Sequence, residues 1–379
     1  MKLDKFKSGI YLQQDNYKSF LPTKINEDFE YEDMMINKLL SEAERELSKL
    51  NTYAKLLPNI DLYIKMHVLV EASKSSKIEG TKTSIEENLM DESEIDPEKR
   101  DDWEEVQNYV KAMNYGVDKI YNELPLCNRL IRDIHKILLS GVRGKYKQPG
   151  EFRRSQNWIG GSTLSDAVYI PPHVNDLPEL LTDLEKFINN EKLLVPDLIK
   201  IAIIHYQFET IHPFLDGNCR VGRLIIPLYL QSKGMLDKPC LYISDFFEKN
   251  RTSYYDALSR VRESNDLIHW IKFFLNGIIE TSKIGSDKFE KIVSLKEETD
   301  EKIKKLNGKI TNHDLIMNCF YSEPHLSMKK IMSLTKLNKA TLIRYIKELV
   351  NNNIIVEITG NERNKLFSFK TYIEIFKTD

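Results

Sequence analysis

The chain has 379 residues, with 55 Lys+Arg against 57 Asp+Glu and 41% hydrophobic residues, enough apolar content to bury two or three domain cores and to exclude a mainly disordered chain. A formal net charge of -2 excludes any general attraction to polyanions, so a nucleic-acid contact would need a local patch. The cysteines Cys127, Cys219, Cys240 and Cys319 are scattered and form no CxxC pair, which excludes a disulfide framework and a cysteine zinc site.

The N-terminal MKLDKFKSGI lacks the apolar run of a signal peptide, and no stretch approaches the roughly 18 apolar residues of a membrane span. The expectation is a soluble cytoplasmic protein with no membrane partner. Apolar residues three and four apart predict helices over Tyr31 to Leu50, Trp103 to Leu124 and Leu130 to Leu139. A further helix is predicted from about Asp61 to Gly80, a natural helix-ending residue, which leaves Glu79 in the last turn, where the helix dipole disfavours a carboxylate. In Asn157 to Pro172, two β-prone runs flank Gly160-Gly161 and a polar turn, so a hairpin is expected on a helical body.

From Ile204 to Arg223 the sequence IHYQFETIHPFLDGNCRVGR carries an apolar helix to a break at Pro213, passes a polar turn and restarts a helix near Cys219. The turn Asp216-Gly217-Asn218 presents unpaired N–H groups at the positive end of a new helix, which suits phosphate. Arg220 and Arg223, three apart, can face one way and donate to polyphosphate oxygens. Asp216 can hold Mg²⁺, and His212 is placed to take a proton from a hydroxyl. An isolated HP or DGN is an ordinary helix-loop-helix turn, but the full string at this spacing is not. His205, seven residues before His212, reads as a core residue and not as half of a metal pair.

Beyond about Thr281 the sequence becomes charge-rich, and a weakly amphipathic helix is expected to end at Gly308 and to serve as a linker. The remaining residues predict helices over Ser327 to Leu334 and Lys339 to Asn351, then strands over Ile354 to Thr359 and Leu366 to Phe369 around the turn GNERNK. That order suggests a winged helix-turn-helix. From Gly308 onward there are 11 Lys+Arg against 7 Asp+Glu, a small excess of the sign DNA requires, with Lys339, Thr341, Arg344 and Lys347 as candidate contacts. A winged helix used for dimer or protein contacts is the equal alternative.

The central segment resembles the Fic family signature HPFxDGNGRxxR, with eight of its nine fixed positions present between His212 and Arg223. The resemblance implies a mainly α-helical Fic core with a small hairpin flap, and transfer of AMP from ATP, with Mg²⁺, to a Ser, Thr or Tyr hydroxyl of a target protein and of the chain itself. It implies His212 as base, Asp216 as metal ligand, and Gly217, Asn218, Cys219, Arg220 and Arg223 as the phosphate clamp. Cys219 stands where the family has glycine. Its Cβ would oppose a positive φ but suits a right-handed helical one, and a tolerated variant, a weakened enzyme and a changed transfer specificity all remain open.

The string Ser75-Ser76-Lys77-Ile78-Glu79-Gly80 resembles the family's inhibitory helix, which implies that Glu79 pairs with Arg223 and keeps the enzyme off. Trp158, Ile159, Gly160 and Gly161 resemble the family's target-binding flap. Tyr242 and Asn250 correspond to a region that contacts adenine in relatives. The organisation expected is 1–100 as the N-terminal region with the inhibitory helix, 101–280 as the Fic core, 281–308 as the linker and 309–379 as the winged-helix domain. Removal of AMP from a target by the same site, and a DNA-binding regulator with a degenerate nucleotide-sensing core, are the alternative functions. A homodimer is a further candidate assembly.

Overall fold

In a computed structural model the chain is described over residues 1–57, 60–122, 124–141, 146–360 and 365–377. It opens with an antiparallel hairpin, β1 (Gly9–Gln13) and β2 (Lys18–Pro22), in the register Gly9 to Pro22 and Gln13 to Lys18. Periodicity did not announce this ribbon, because Ile10 and Tyr11 are exposed and the polar-apolar alternation is broken. Helix α1 (Met34–Leu56) starts where the Asp33 carboxylate accepts from the N–H groups of Met35 and Ile36. Helix α2 (Asp61–Ile78) follows, then the single turn α3 (Ile85–Asn88), closed by a Ser84/Glu87 capping box.

Helices α4 (Arg100–Tyr121), α5 (Asn128–Leu138) and α6 (Leu177–Asn189) are amphipathic and turn their apolar faces inward. Helix α7 (Asp197–Ile211) is buried all round, every residue from Leu198 to Ile211 including Lys200, His205 and Glu209 being buried, so it forms the central shaft. Helix α8 (Asn218–Ser232) packs against α7 and is almost as completely buried. The signature therefore lies in the break between two core helices. Helices α9 (Ile243–Lys249) and α10 (Arg251–Ser264) close this core.

The expected hairpin over Asn157 to Pro172 is reduced to one antiparallel bridge, Ile159 to Tyr169, with Gly160 and Gly161 both at positive φ. A side chain at Gly161 would place its Cβ 2.4 Å from the Asp166 carbonyl oxygen, so this tight turn requires glycine there. The loop is tied to the N-terminal ribbon, since Phe20 N–H donates to Ile170 C=O at 2.9 Å.

The charge-rich stretch is not a separate helix. It continues without a break from Leu267 as α11 (Leu267–Ile303), a helix of 37 residues that packs along α1. Its polar composition conceals a narrow buried stripe through Phe289, Ile292, Thr299 and Ile303, while Lys283 pairs with Glu42 on α1 at 2.7 Å. Gly285 lets the two helices close up, for a Cβ there would meet Leu50 Cδ1 at 2.8 Å.

After α11 come α12 (Ile310–Ser322), β3 (His325–Ser327), α13 (Met328–Thr335), α14 (Lys339–Asn351), β4 (Val356–Glu357), β5 (Leu366–Ser368) and α15 (Lys370–Lys377). The strands pair antiparallel in the order β3-β5-β4. Strand β3 was not anticipated, and residues 361–364 of the GNERNK turn lie outside the described residues. Helix α15 returns to pack on α11. No described helix is long and apolar enough to cross a membrane.

Candidate active site

His212 ends α7 in a left-handed conformation, φ 48° and ψ 60°, which a non-glycine residue adopts only when its surroundings hold it there. Three groups do so. The Arg153 guanidinium donates from Nε to the His212 carbonyl at 3.0 Å and from Nη2 to Pro172 C=O at 2.6 Å, Asn157 Nδ2 donates to the same His212 carbonyl at 3.3 Å, and Arg153 N–H donates to Pro213 C=O at 2.9 Å. The imidazole is half-buried, and burial lowers its pKa to about 4, so it is neutral at ordinary pH. Nδ1 lies 3.4 Å from the Glu209 carbonyl oxygen, a contact that favours the tautomer with its proton on Nδ1 and its acceptor lone pair on Nε2.

The turn after His212 is built by Asn218. Its Oδ1 accepts from Phe214 N–H and its Nδ2 donates to Phe214 C=O, each at 2.8 Å, so this side chain is committed to the loop and its contribution to an anion comes from its backbone. Gly217 has φ 75°, as a helix N-cap approached from this direction requires. The N–H groups of Asn218, Cys219 and Arg220 precede the first intrahelical bond, Val221 N–H to Gly217 C=O at 3.0 Å, and form the N-terminal cradle. Asp216 is exposed and its Oδ1 accepts from Gly217 N–H at 2.6 Å. Among the described residues no three His, Cys, Asp or Glu side chains converge on a metal position.

Cys219 is in the first turn of α8, where the right-handed helix accepts its Cβ. Burial, with the Glu209 and Glu79 carboxylates nearby, holds its thiol well above the usual range, so it is protonated and not a reactive thiolate. Glu209 itself is buried, which raises its pKa to about 7 against the pull of Arg223 and the thiol.

The two signature arginines have different partners. Arg220 donates from Nη1 to Glu105 at 3.1 Å and borders a cleft with Asp101, Asn108, Ser140 and Asp216. Arg223 is fully buried; its Nε donates to Ser75 Oγ at 2.8 Å, and its Nη2 to Ser75 C=O at 2.9 Å and to Glu79 Oε1 at 2.7 Å. The end of α2 thus caps the guanidinium, with Glu79 as the C-cap residue and Gly80 following at φ 105° in open space.

The Fic/DOC family N-terminal profile matches residues 37–118, and the Fic/DOC family profile matches residues 125–230. The chain belongs to the Fic/DOC family. Proteins named protein adenylyltransferase Fic are similar to it: that of Aedes aegypti is 29% identical over 201 residues, covering 52% of this chain and 37% of that protein. The one from Drosophila melanogaster is 28% identical over 180 residues, covering 47% and 33%. The matches thus span only about a third of those relatives. A Fic family protein from Desulfovibrio desulfuricans shares the fold with TM-score 0.56 at 18% identity, over 89% of this chain and 96% of that one. A Fic domain protein from Bacteroides thetaiotaomicron does so with TM-score 0.51 at 19% identity, over 68% and 97%.

Within this Fic core, some expected residues are placed elsewhere. The Tyr242 ring is 2% exposed, stacked on His67 at 4.9 Å with Lys288 over it, so it packs the interior and presents no face to a base. Asn250 joins α9 to α10 and its Nδ2 donates to Phe246 C=O at 3.0 Å. Trp158, Ile159, Gly160 and Gly161 lie together on the loop beside the His212 backbone clamp, with Trp158 39% exposed. His205 is buried, donates to Gly222 C=O at 3.0 Å and accepts from Tyr254 at 2.8 Å, a satisfied core histidine.

Sequence reasoning missed His135 on α5. Its Nδ1 accepts from Gly150 N–H at 2.8 Å, so its Nε2 carries the proton and donates to Asp216 C=O at 3.0 Å, while the ring stacks on Phe214 at 3.7 Å. Burial lowers its pKa to about 4, which keeps this one-proton arrangement fixed. The roles of Arg153 and Asn157 were missed as well. All three bind backbone groups distant in sequence, and no local spacing signals that.

Proposed function

We propose that this chain transfers AMP from ATP to a Ser, Thr or Tyr hydroxyl of a target protein and of itself, and that Glu79 holds the reaction nearly off. One observation carries the reading: a neutral imidazole with a free Nε2 and an N–H cradle for phosphate occupy one turn between two buried helices. The hydroxyl gives its proton to His212 Nε2 as its oxygen bonds to the α-phosphorus. The bond to the β-phosphate oxygen breaks, and pyrophosphate leaves. Magnesium, held by Asp216 and the phosphates, would neutralise charge on the leaving group.

Arg223 is the natural clamp for the γ-phosphate, and the Glu79 carboxylate at 2.7 Å already occupies it. A triphosphate must break that contact or bind with its α-phosphorus out of line for attack. Relief of the brake is therefore the decisive manipulation. With labelled ATP and Mg²⁺, Glu79→Gly should label itself at least about tenfold above the unaltered chain, a modest estimate for a restored phosphate clamp. Adding His212→Ala should abolish the label. An unlabelled Glu79→Gly chain that also fails to bind ATP by calorimetry would refute the proposal.

A further inference from the structure

Helix α14 divides cleanly by exposure: Leu342, Tyr345, Ile346 and Leu349 are buried, whereas Lys339, Ala340, Ile343, Arg344 and Lys347 are exposed. Positions 339, 343 and 347, and likewise 340, 344 and 347, lie three or four apart, so the exposed residues share one face. This face sits in the most basic part of the chain. Residues 324–347 contain six Lys or Arg and no Asp or Glu, in a protein whose formal net charge is -2. Among the described residues, the only ion pair these six make is Lys330 to Glu323 at 3.5 Å.

Helix α13 ends at Thr335, Lys336 turns the chain at φ 55°, and Asn338 starts α14 by accepting from Thr341 N–H at 2.9 Å. The short connection projects α14 as a capped cylinder of 13 residues. A helix with its side chains is about 10–12 Å across and the major groove of duplex DNA is about 12 Å wide.

We propose that the α14 face is a duplex-DNA-binding surface, with α14 in the major groove, Lys339, Arg344 and Lys347 on phosphates and base edges, and Ile343 and Ala340 against thymine methyl groups. Lysine is depleted from the centres of protein–protein interfaces, whereas lysine and arginine without carboxylate partners beside apolar side chains are what phosphates and base edges require; Arg344 lies over the Tyr345 ring at 5.0 Å and forms no ion pair among the described residues. This surface is independent of the nucleotide-transfer reading and stands or falls alone.

The test uses the full chain, a fluorescent mixed-sequence duplex several turns long, and salt between about 50 and 200 mM. Polarisation should report binding whose logarithmic affinity falls linearly with the logarithm of salt. The variant Lys339→Glu/Arg344→Glu/Lys347→Glu should bind at least about tenfold more weakly at the low-salt end, with a shallower salt slope. Because all three residues are exposed, its circular dichroism and melting temperature should match the unaltered chain. No binding at low salt, or binding undiminished in the triple variant, overturns the proposal. So does displacement of the duplex by an equal charge concentration of poly-glutamate, which would assign the face to an acidic protein.

Discussion

His212 is held in a left-handed conformation by carbonyl contacts from Arg153 and Asn157, and the strain is the structural cost of pointing an imidazole out of the end of a buried helix. Because burial sets its pKa at about 4, the imidazole is neutral across the physiological range, the form the proposed base requires. The sign is fixed: lowering the pH through that value protonates Nε2 and would remove the proposed base. The rate of the released Glu79→Gly chain should stay flat from about pH 8 to about pH 5, then fall about tenfold per pH unit below the pKa. A rate already declining through pH 6.5 would mean an imidazole at its ordinary pKa and a wetter site. At Cys219 the helical backbone needs no glycine, and a protonated thiol lies near the buried Glu209. Cys219→Gly should therefore leave labelling by the Glu79→Gly chain within about threefold, and should lower stability by about 0.5–1 kcal/mol through the freer backbone. Thermal unfolding and labelling of the same preparation separate the two effects.

The turn between α7 and α8 is a unit whose parts come from several elements. Its contiguous residues were legible because chemistry and backbone geometry are written within twelve positions: a helix-ending histidine, a glycine at positive φ, an asparagine that closes the loop. Asn218→Ala leaves both the N–H and the C=O of Phe214 without that partner in a buried site and should cost about 2–4 kcal/mol in unfolding free energy, measured by denaturant titration. What was not legible comes from outside the turn. His135 reaches Asp216 from α5, and nothing in NRLIRDIHKIL distinguishes it from a histidine merely filling a helix face. His135→Phe retains a ring that can stack on Phe214 but leaves Gly150 N–H and Asp216 C=O unpartnered. We expect it to weaken Mg²⁺-dependent labelling by the Glu79→Gly chain about tenfold while its melting temperature falls only slightly, and excess Mg²⁺ should restore part of the loss. The reduced hairpin and the full length of α11 were not legible for a related reason: composition reports β-propensity and polarity, while two glycines at positive φ and a thin buried stripe, with Phe289 stacked on His67 of α2, decide the outcome.

At the scale of the molecule, α2 is anchored at both ends. Its C-terminal end holds Arg223 through Ser75 and Glu79, while near its start Tyr63 meets Tyr321 of α12 at 5.0 Å and Tyr372 of α15 at 6.3 Å. One turn on, His67 stacks on Phe289 at 4.3 Å and takes the edge of Phe376 at 5.1 Å. Lys377 adds an ion pair to Glu86 on α3 at 2.5 Å. A helix of 18 residues is about 27 Å of rigid rod, so we expect loosening of the aromatic grip to free the carboxylate at the other end to move. Phe376 is 1% exposed, and its truncation to alanine removes packing worth about 3–5 kcal/mol from the contact between α15 and α2. With Glu79 intact, Phe376→Ala should raise self-labelling severalfold, and in the Glu79→Gly background it should add nothing, because the proposed brake is already absent. Additive effects in the double variant would place Phe376 on a route independent of Glu79. Unchanged labelling, in a chain whose α15 amides exchange faster with solvent, would show that the C-terminal elements rest on α2 without restraining it.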